Sequence, residues 1–161
     1  MELSRVITVS DRSAAGLRAD LSGPVLADAL RAGGYDVSVV VPDGEGPVRD
    51  ALRAALADGA RLIVTTGGTG VGPRDQTPEA TGIVLDRELP GIAEALRAEG
   101  RRHSAHAALS RGLAGVVNAT ATSRGALIVN LPGSPKAARE GAEVLLPLAG
   151  HVLDQLGGSD H

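Results

Sequence analysis

Leu62-Ile63-Val64-Thr65-Thr66-Gly67-Gly68-Thr69-Gly70-Val71-Gly72-Pro73-Arg74-Asp75-Gln76-Thr77-Pro78-Glu79 is the stretch on which the reading of the fold turns. Three aliphatic residues in a row, Leu62 to Val64, predict a short buried strand. The residues from Thr65 to Gln76 are the most glycine-dense part of the chain and predict a loop. Thr77-Pro78-Glu79 reads as a helix start. Thr77 is placed as N-cap, Pro78 stands at the first helical position, where its missing N–H costs nothing, and Glu79 complements the helix dipole.

The same unit recurs on either side. Toward the N-terminus, a strand from Arg5 to Val9 leads through Ser10-Asp11-Arg12 to a helix with Leu21, Val25, Leu26, Ala29 and Leu30 on one face. Val37 to Val41 reads as a second buried strand, Pro42-Asp43-Gly44 as a turn, and Val48, Ala51, Leu52, Ala55 and Leu56 as the stripe of a second helix. Toward the C-terminus, Ile92 to Arg101 is amphipathic, with Ile92, Ala95 and Leu96 along one side, while His103 to Arg111 fits neither period. Leu113 to Ala119 reads as one strand of an edge hairpin turning near Ser123 to Gly125, and Ala126 to Leu131 as a buried strand. Pro132-Gly133-Ser134-Pro135 then opens a helix from about Lys136 to Leu146, with a pattern that can continue past Pro147 to Leu156. Alternating strands and helices imply a parallel sheet with helices on both faces, because each right-handed crossover lays its helix back on the sheet. The expected organisation is one domain over residues 1–156 and a frayed tail, 157–161.

Composition narrows the function. With 16 Lys plus Arg against 19 Asp plus Glu, a net charge of -3, the chain lacks the basic excess of a nucleic-acid binder. The absence of cysteine excludes a disulfide framework, a thiolate metal site and a cysteine nucleophile, and fits a reducing compartment. Neither a basic N-terminal region nor an apolar run of about 18 residues is present, so no membrane span or secretion signal is expected and the cytoplasm is the expected location. Tyr35 is the only aromatic residue. The core must therefore be aliphatic, and any nucleotide must be held without a stacking platform.

Four segments rich in Gly, Ser, Thr and Asp each follow a predicted parallel strand: Ser10-Asp11, Asp43-Gly44, Thr66-Gly67-Gly68-Thr69-Gly70 and Pro132-Gly133-Ser134. Parallel strands put all four on one edge of the sheet, where open α/β sheets bind ligands. Any one of them alone is ordinary turn chemistry; their convergence is what points to a site. The glycine loop and the helix start behind it suit a phosphate or similar anion. It is not a Walker A loop, since no Gly-Lys-Ser/Thr follows, and it is not the dinucleotide fingerprint, whose third glycine would fall at Pro73. Asp43 and Asp75 are carboxylates in two of these loops, and either or both can serve a divalent cation at a pyrophosphate leaving group. Equally, Asp43 can simply fill its Pro-Asp-Gly turn, and Asp75 can pair with Arg74 or cap the helix. His103 and His106 lack a third metal ligand and read as a solvated helix face. Ser110-Arg111 can present a hydroxyl and a guanidinium to an anion. Lys136 opposes the dipole of its helix unless an anionic ligand is near.

The run 65–70 followed by Pro73-Arg74-Asp75-Gln76-Thr77-Pro78-Glu79-Ala80-Thr81 resembles the signature of the MogA/MoaB family and of the related N-terminal domain of gephyrin. Val9-Ser10-Asp11-Arg12, Val41-Pro42-Asp43, Leu109-Ser110-Arg111 and Asn130-Leu131-Pro132-Gly133-Ser134-Pro135-Lys136 agree in the same order, and the last of these is more similar to the MogA type than to the MoaB type. The resemblance implies a three-layer α/β fold, commonly trimeric, that binds molybdopterin and uses Mg-ATP to adenylylate it with release of pyrophosphate. Molybdate is then inserted by another protein or domain. It further implies that Asp43 sits at the reacting phosphates and organises Mg2+, that Asp75 holds the pterin and that Ser110 helps to position it. Ser10, Asp11, Thr66, Gly67, Gly68, Thr69, Gly70, Thr77, Pro78, Pro132, Gly133, Ser134 and Lys136 complete the implied substrate-binding set. A homotrimer is also the expectation from apolar helix stripes, such as that of Ile92, which one sheet does not obviously absorb. Two alternatives share the fold. One is a MoaB-like molybdopterin-binding protein with little catalysis, against which the presence of both Asp43 and Asp75 speaks. The other is a nucleotide pyrophosphatase of the competence-damage type, against which the short chain speaks.

Overall fold

The computed structural model describes residues 1–10, 16, 19–40 and 46–159. Strand β1 (Leu3–Thr8) leads to helix α1 (Ser22–Ala32), β2 (Asp36–Val40), α2 (Pro47–Ala57) and β3 (Leu62–Thr66). Then come α3 (Thr77–Val84), the two-residue β4 (Arg87–Glu88), α4 (Pro90–Arg101) and a short 3-10 turn (Ala105–Leu109). β5 (Ala114–Val117), β6 (Ala126–Leu131) and the long α5 (Pro135–Leu156) complete the order. The six strands form one sheet, β2-β1-β3-β6-β5-β4. The first four run parallel, β5 runs antiparallel to β6, and β4 antiparallel to β5.

The central strands β3 and β6 carry the aliphatic runs Leu62-Ile63-Val64 and Ala126-Leu127-Ile128-Val129 because both faces of the sheet are covered there. Alternate residues point to opposite sides. Val6, Leu62, Val64, Leu127, Val129 and Leu131 pack with Leu26 and Leu30 of α1, Ile92 of α4 and Leu145 and Leu153 of α5. Ile7, Ile63 and Ile128 pack on the other side with Leu52 and Ala55 of α2 and with Val84 at the end of α3. The result is the expected three-layer sandwich. Each wholly buried Leu, Ile or Val contributes roughly 1.5–3 kcal/mol.

Several expectations are corrected. β5 is not the edge of the sheet: β4 lies outside it, held also by the backbone bonds Asp86 N–H to Val116 O (3.0 Å) and Leu89 N–H to Ala114 O (2.8 Å). Two residues are too few to leave a periodic signal. Leu21 does not join the buried face of α1; it precedes the helix and is 56% exposed. Of the stripe Ile92, Ala95 and Leu96, Ile92 is buried in this chain's own core and Leu96 is packed against it but only partly buried. Thr77 does not cap α3. The N-cap position is Gln76, without a side-chain bond, and the Thr77 hydroxyl is turned onto the glycine loop. By contrast, the pattern that could continue past Pro147 does so: helix α5 passes unbroken through Pro147 to Leu156.

Candidate functional site

At the carboxyl ends of β1, β3 and β6 the backbone is drawn into a tight knot. Val9 N–H donates to Thr66 O (2.8 Å), Gly67 N–H to Leu131 O (3.0 Å), and the Thr66 hydroxyl to Pro132 O (2.7 Å). The chain then reverses through Gly67 and Gly68, whose φ values of 99° and 69° are costly for residues with a side chain. Space demands glycine there too: a Cβ on Gly67 would stand 2.4 Å from Val9 O, and one on Gly68 would stand 2.2 Å from the Thr77 hydroxyl. Buried Thr77 fastens this reversal from below, its hydroxyl donating to Gly67 O (2.9 Å) and its N–H to Gly68 O (3.1 Å).

The outer half of the loop is held by Asp75 and Arg111. Asp75 Oδ2 accepts from Gly72 N–H at 2.9 Å, so this carboxylate shapes its own loop. Arg111 donates from Nε to Gly70 O (2.7 Å), from Nη2 to Asp75 O (2.6 Å), and to the carboxylate of Glu79, while its N–H donates to Thr69 O (2.8 Å). The hydrogen bond from Arg111 holds the Glu79 carboxyl below the usual carboxylate range, and Glu79 raises the guanidinium in return. The guanidinium expected to meet an anion is thus committed to the loop.

Two cavities flank this knot. The first, of about 370 Å³, lies between Thr69 and Gly70, the end of α4, the 3-10 turn and the start of α5; Ser110, Pro132, Ser134 and Lys136 line it. The second, of about 340 Å³, lies between the end of β1 and the start of α1 and is lined by Ser10, Asp20, Thr66, Gly67, Gly68, Gly133 and Ser134. Ser134 borders both. It is the N-cap of α5, accepting from Ala137 N–H at 3.2 Å, so both cavities meet at a helix N-terminus.

Most of the residues expected at the site are thereby brought together, divided between two chambers. Asp75, Thr77 and Pro78 line neither chamber; Asp75 and Thr77 hold the loop, and Pro78 opens α3 behind it. Asp11 and Asp43 lie outside the described residues. Asp20 escaped the sequence reading: its carboxylate accepts from the Thr8 hydroxyl (2.8 Å) and from Gly23 N–H (2.9 Å) while bordering the second cavity. An Asp three residues before a helical Gly was the available signal. His103 and His106, set aside as solvated, border the first cavity together with Glu99 and Glu140. Lys136 stands 3.8 Å from Glu140, one helical turn on, which offsets its poor placement against the dipole.

An open, mostly parallel sheet with helices on both faces and adjoining clefts at its strand ends defines a small-ligand-binding α/β domain. The chain belongs to the MogA/MoaB family: residues 5–151 match the family model described as "Probable molybdopterin binding domain". It is 41% identical over 158 residues to the molybdenum cofactor biosynthesis bifunctional protein of Synechococcus elongatus, with 97% of this chain and 48% of that protein covered. The chain thus spans about half the length of that relative. It is 37% identical over 150 residues to the molybdopterin adenylyltransferase of Pyrococcus furiosus, covering 92% of this chain and 87% of that enzyme. Among solved structures, the molybdopterin biosynthesis enzyme MoaB of Thermus thermophilus superposes with a TM-score of 0.85 at 43% identity, covering 99% of this chain and 98% of that one. Among the described residues no helix is long and apolar enough to cross a membrane.

Proposed function

We propose that this chain is a molybdopterin adenylyltransferase of molybdenum-cofactor biosynthesis, transferring AMP from Mg-ATP to molybdopterin and releasing pyrophosphate. The observation that carries this reading is the pair of cavities meeting at Ser134, one for each of two substrates, with the glycine knot and the N-terminus of α5 at their junction. Ser110 lines the first cavity, which is assigned to molybdopterin; Ser10 lines the second, at the end of β1, which is assigned to ATP. In the transfer an acceptor oxygen of molybdopterin bonds to the α-phosphorus of ATP as the bond from that phosphorus to the bridging oxygen breaks. Pyrophosphate departs with the bond's electron pair. The backbone N–H groups of the loop and of the first turn of α5 suit the charge on these phosphates.

Magnesium would supply charge neutralisation at the leaving group. Among the described residues no three carboxylates or imidazoles form a cage for a metal ion. A magnesium ion carried by a nucleotide needs only one or two protein carboxylates. Asp43, which follows β2 in the sequence and lies outside the described residues, is the residue proposed to hold it. We further propose a cytoplasmic homotrimer that passes its product to a molybdate-inserting protein.

The test is incubation of the purified protein with ATP, magnesium and molybdopterin. Adenylylated molybdopterin and pyrophosphate should form in equal amounts; binding of molybdopterin without turnover refutes the enzyme. Light scattering checks the trimer, for which a mass near that of one 16.2 kDa chain is disqualifying.

A further inference from the structure

The wall of the first cavity carries a feature at odds with an anionic ligand. Glu99 and Glu140 both border a chamber assigned to a substrate with anionic groups, and Glu140 is mostly buried, its side chain 17% exposed. Between them stands His103. Its Nε2 lies 3.2 Å from Glu99 Oε1, and its Nδ1 lies 3.6 Å from Glu140 Oε1. The row continues at both ends, to Arg102 Nη1 at 3.0 Å from Glu99 Oε2 and to Lys136 Nζ at 3.8 Å from Glu140 Oε1. Charges therefore alternate from α4 to α5 with the imidazole at the centre. Of the other charged or titratable groups nearby, Arg97 of α4 is bound to the carbonyls of Ser110 (3.3 Å) and Gly112 (3.1 Å), and His106 of the 3-10 turn borders the same cavity.

His103 is hydrogen-bonded to Glu99 alone, and toward Glu140 it can act only as a charge: a neutral imidazole offers Glu140 no counter-charge, whereas an imidazolium offers one to both carboxylates. We propose that His103, as an imidazolium spanning Glu99 and Glu140, is a positioning residue that neutralises the carboxylate wall and leaves Lys136 available to the anionic end of the substrate. With the proton, the row Lys136, Glu140, His103, Glu99, Arg102 carries one net positive charge. Without it, the row is neutral, Glu140 has only Lys136 as counter-ion, and the lysine is drawn from the ligand. The same geometry marks Glu99, whose carboxyl is held below the usual range by its bond to His103 first and to Arg102 second. The inference rests on the assignment of this cavity to molybdopterin.

The experiment measures molybdopterin binding at equilibrium and turnover side by side, in wild type, His103→Gln and the double variant His103→Gln/Glu140→Gln. His103→Gln should weaken molybdopterin about five- to tenfold, with little change in KM for ATP, which occupies the other cavity. The double variant, having lost the uncompensated carboxylate, should recover most of that loss, a rescue that a merely structural role for His103 would not give. Unchanged affinity in His103→Gln, or failure of the second substitution to rescue it, overturns the inference while leaving the proposed function standing. Molybdopterin binding with the expected pattern but without turnover refutes the adenylyl transfer and supports the role of His103. Absence of molybdopterin binding in wild type overturns both.

Discussion

The first cavity takes its walls from α4, the 3-10 turn and α5 and faces its ligand with ionisable side chains: Glu99, His103, Lys136 and Glu140. The second, across Ser134, is bounded by backbone and hydroxyls at the ends of β1 and β3, with Asp20 as the one carboxylate among its described residues. Under the proposed function, the difference teaches how one sheet edge serves two ligands. Long side chains from helices can be varied to suit a particular molecule, whereas a wall of glycine and threonine backbone is fixed by the fold and suits a group as general as phosphate. Substitutions can therefore be chosen to strike both chambers or only one.

The largest effect is expected at the shared knot. Gly68→Val places a β-branched side chain at positive φ and against the Thr77 hydroxyl, so it should cost roughly 3 kcal/mol or more and empty both cavities of ligand. Chemical denaturation and binding of both substrates check it. Gly70→Val is the contrast. Gly70 does not belong to the positive-φ glycines, and its added Cβ would meet only Asp75 Oδ2, at 2.9 Å. It should weaken molybdopterin and spare ATP; equal loss of both would show the two chambers to be one.

Asp43→Asn comes next. Removing the anionic ligand from the proposed magnesium should lower kcat by roughly a hundredfold to a thousandfold, with molybdopterin binding retained. Turnover near that of the wild type with magnesium would reduce Asp43 to a turn residue. A smaller, paired effect is expected from the two walls. Lys136→Ala should raise KM for molybdopterin about tenfold, and Asp20→Ala should do the same for ATP, because it releases the Thr8 hydroxyl and the Gly23 N–H that shape the second wall. Reversal of the two specificities would exchange the ligands between cavities.

The sheet was legible in the sequence because its central strands are continuous aliphatic runs and because each is followed by a helix-period stripe. The convergence of loops followed from parallelism alone. β4 was illegible for want of length, and its absence made β5 look like an edge. The site was legible where it consists of backbone, since glycine declares its own purpose at Gly67 and Gly68. It was not legible where function depends on which side chains face each other across helices. His103 and Glu140 are 37 positions apart in the numbering and meet only because α4 and α5 pack side by side. The role of Arg111 was not legible for a related reason: the sequence left open whether its guanidinium faces an anion, and its partners prove to be the loop's own carbonyls and Glu79.

The smallest effect expected separates the two chambers by pH. Glu79 has a carboxyl pKa lowered in the folded protein, chiefly by its bond from Arg111. A lowered carboxylate pKa means that its stabilising contribution is fully present above the unfolded value and is lost as pH falls through the folded one. Acidification should therefore loosen the Arg111 clamp on Gly70 and Asp75 before it disturbs Gly67 and Gly68, which Thr77 holds through uncharged hydrogen bonds. Because Glu79 and Arg111 are largely solvent-exposed, the effect is modest, about two- to threefold in molybdopterin affinity with ATP affinity unchanged. Glu79→Gln should impose the weakened affinity already at neutral pH and abolish the acid-side decline that this carboxyl causes. A decline of the same steepness in the variant would assign it to a carboxylate that does line the first cavity, with Glu99, lowered in the same direction, as the group to replace next.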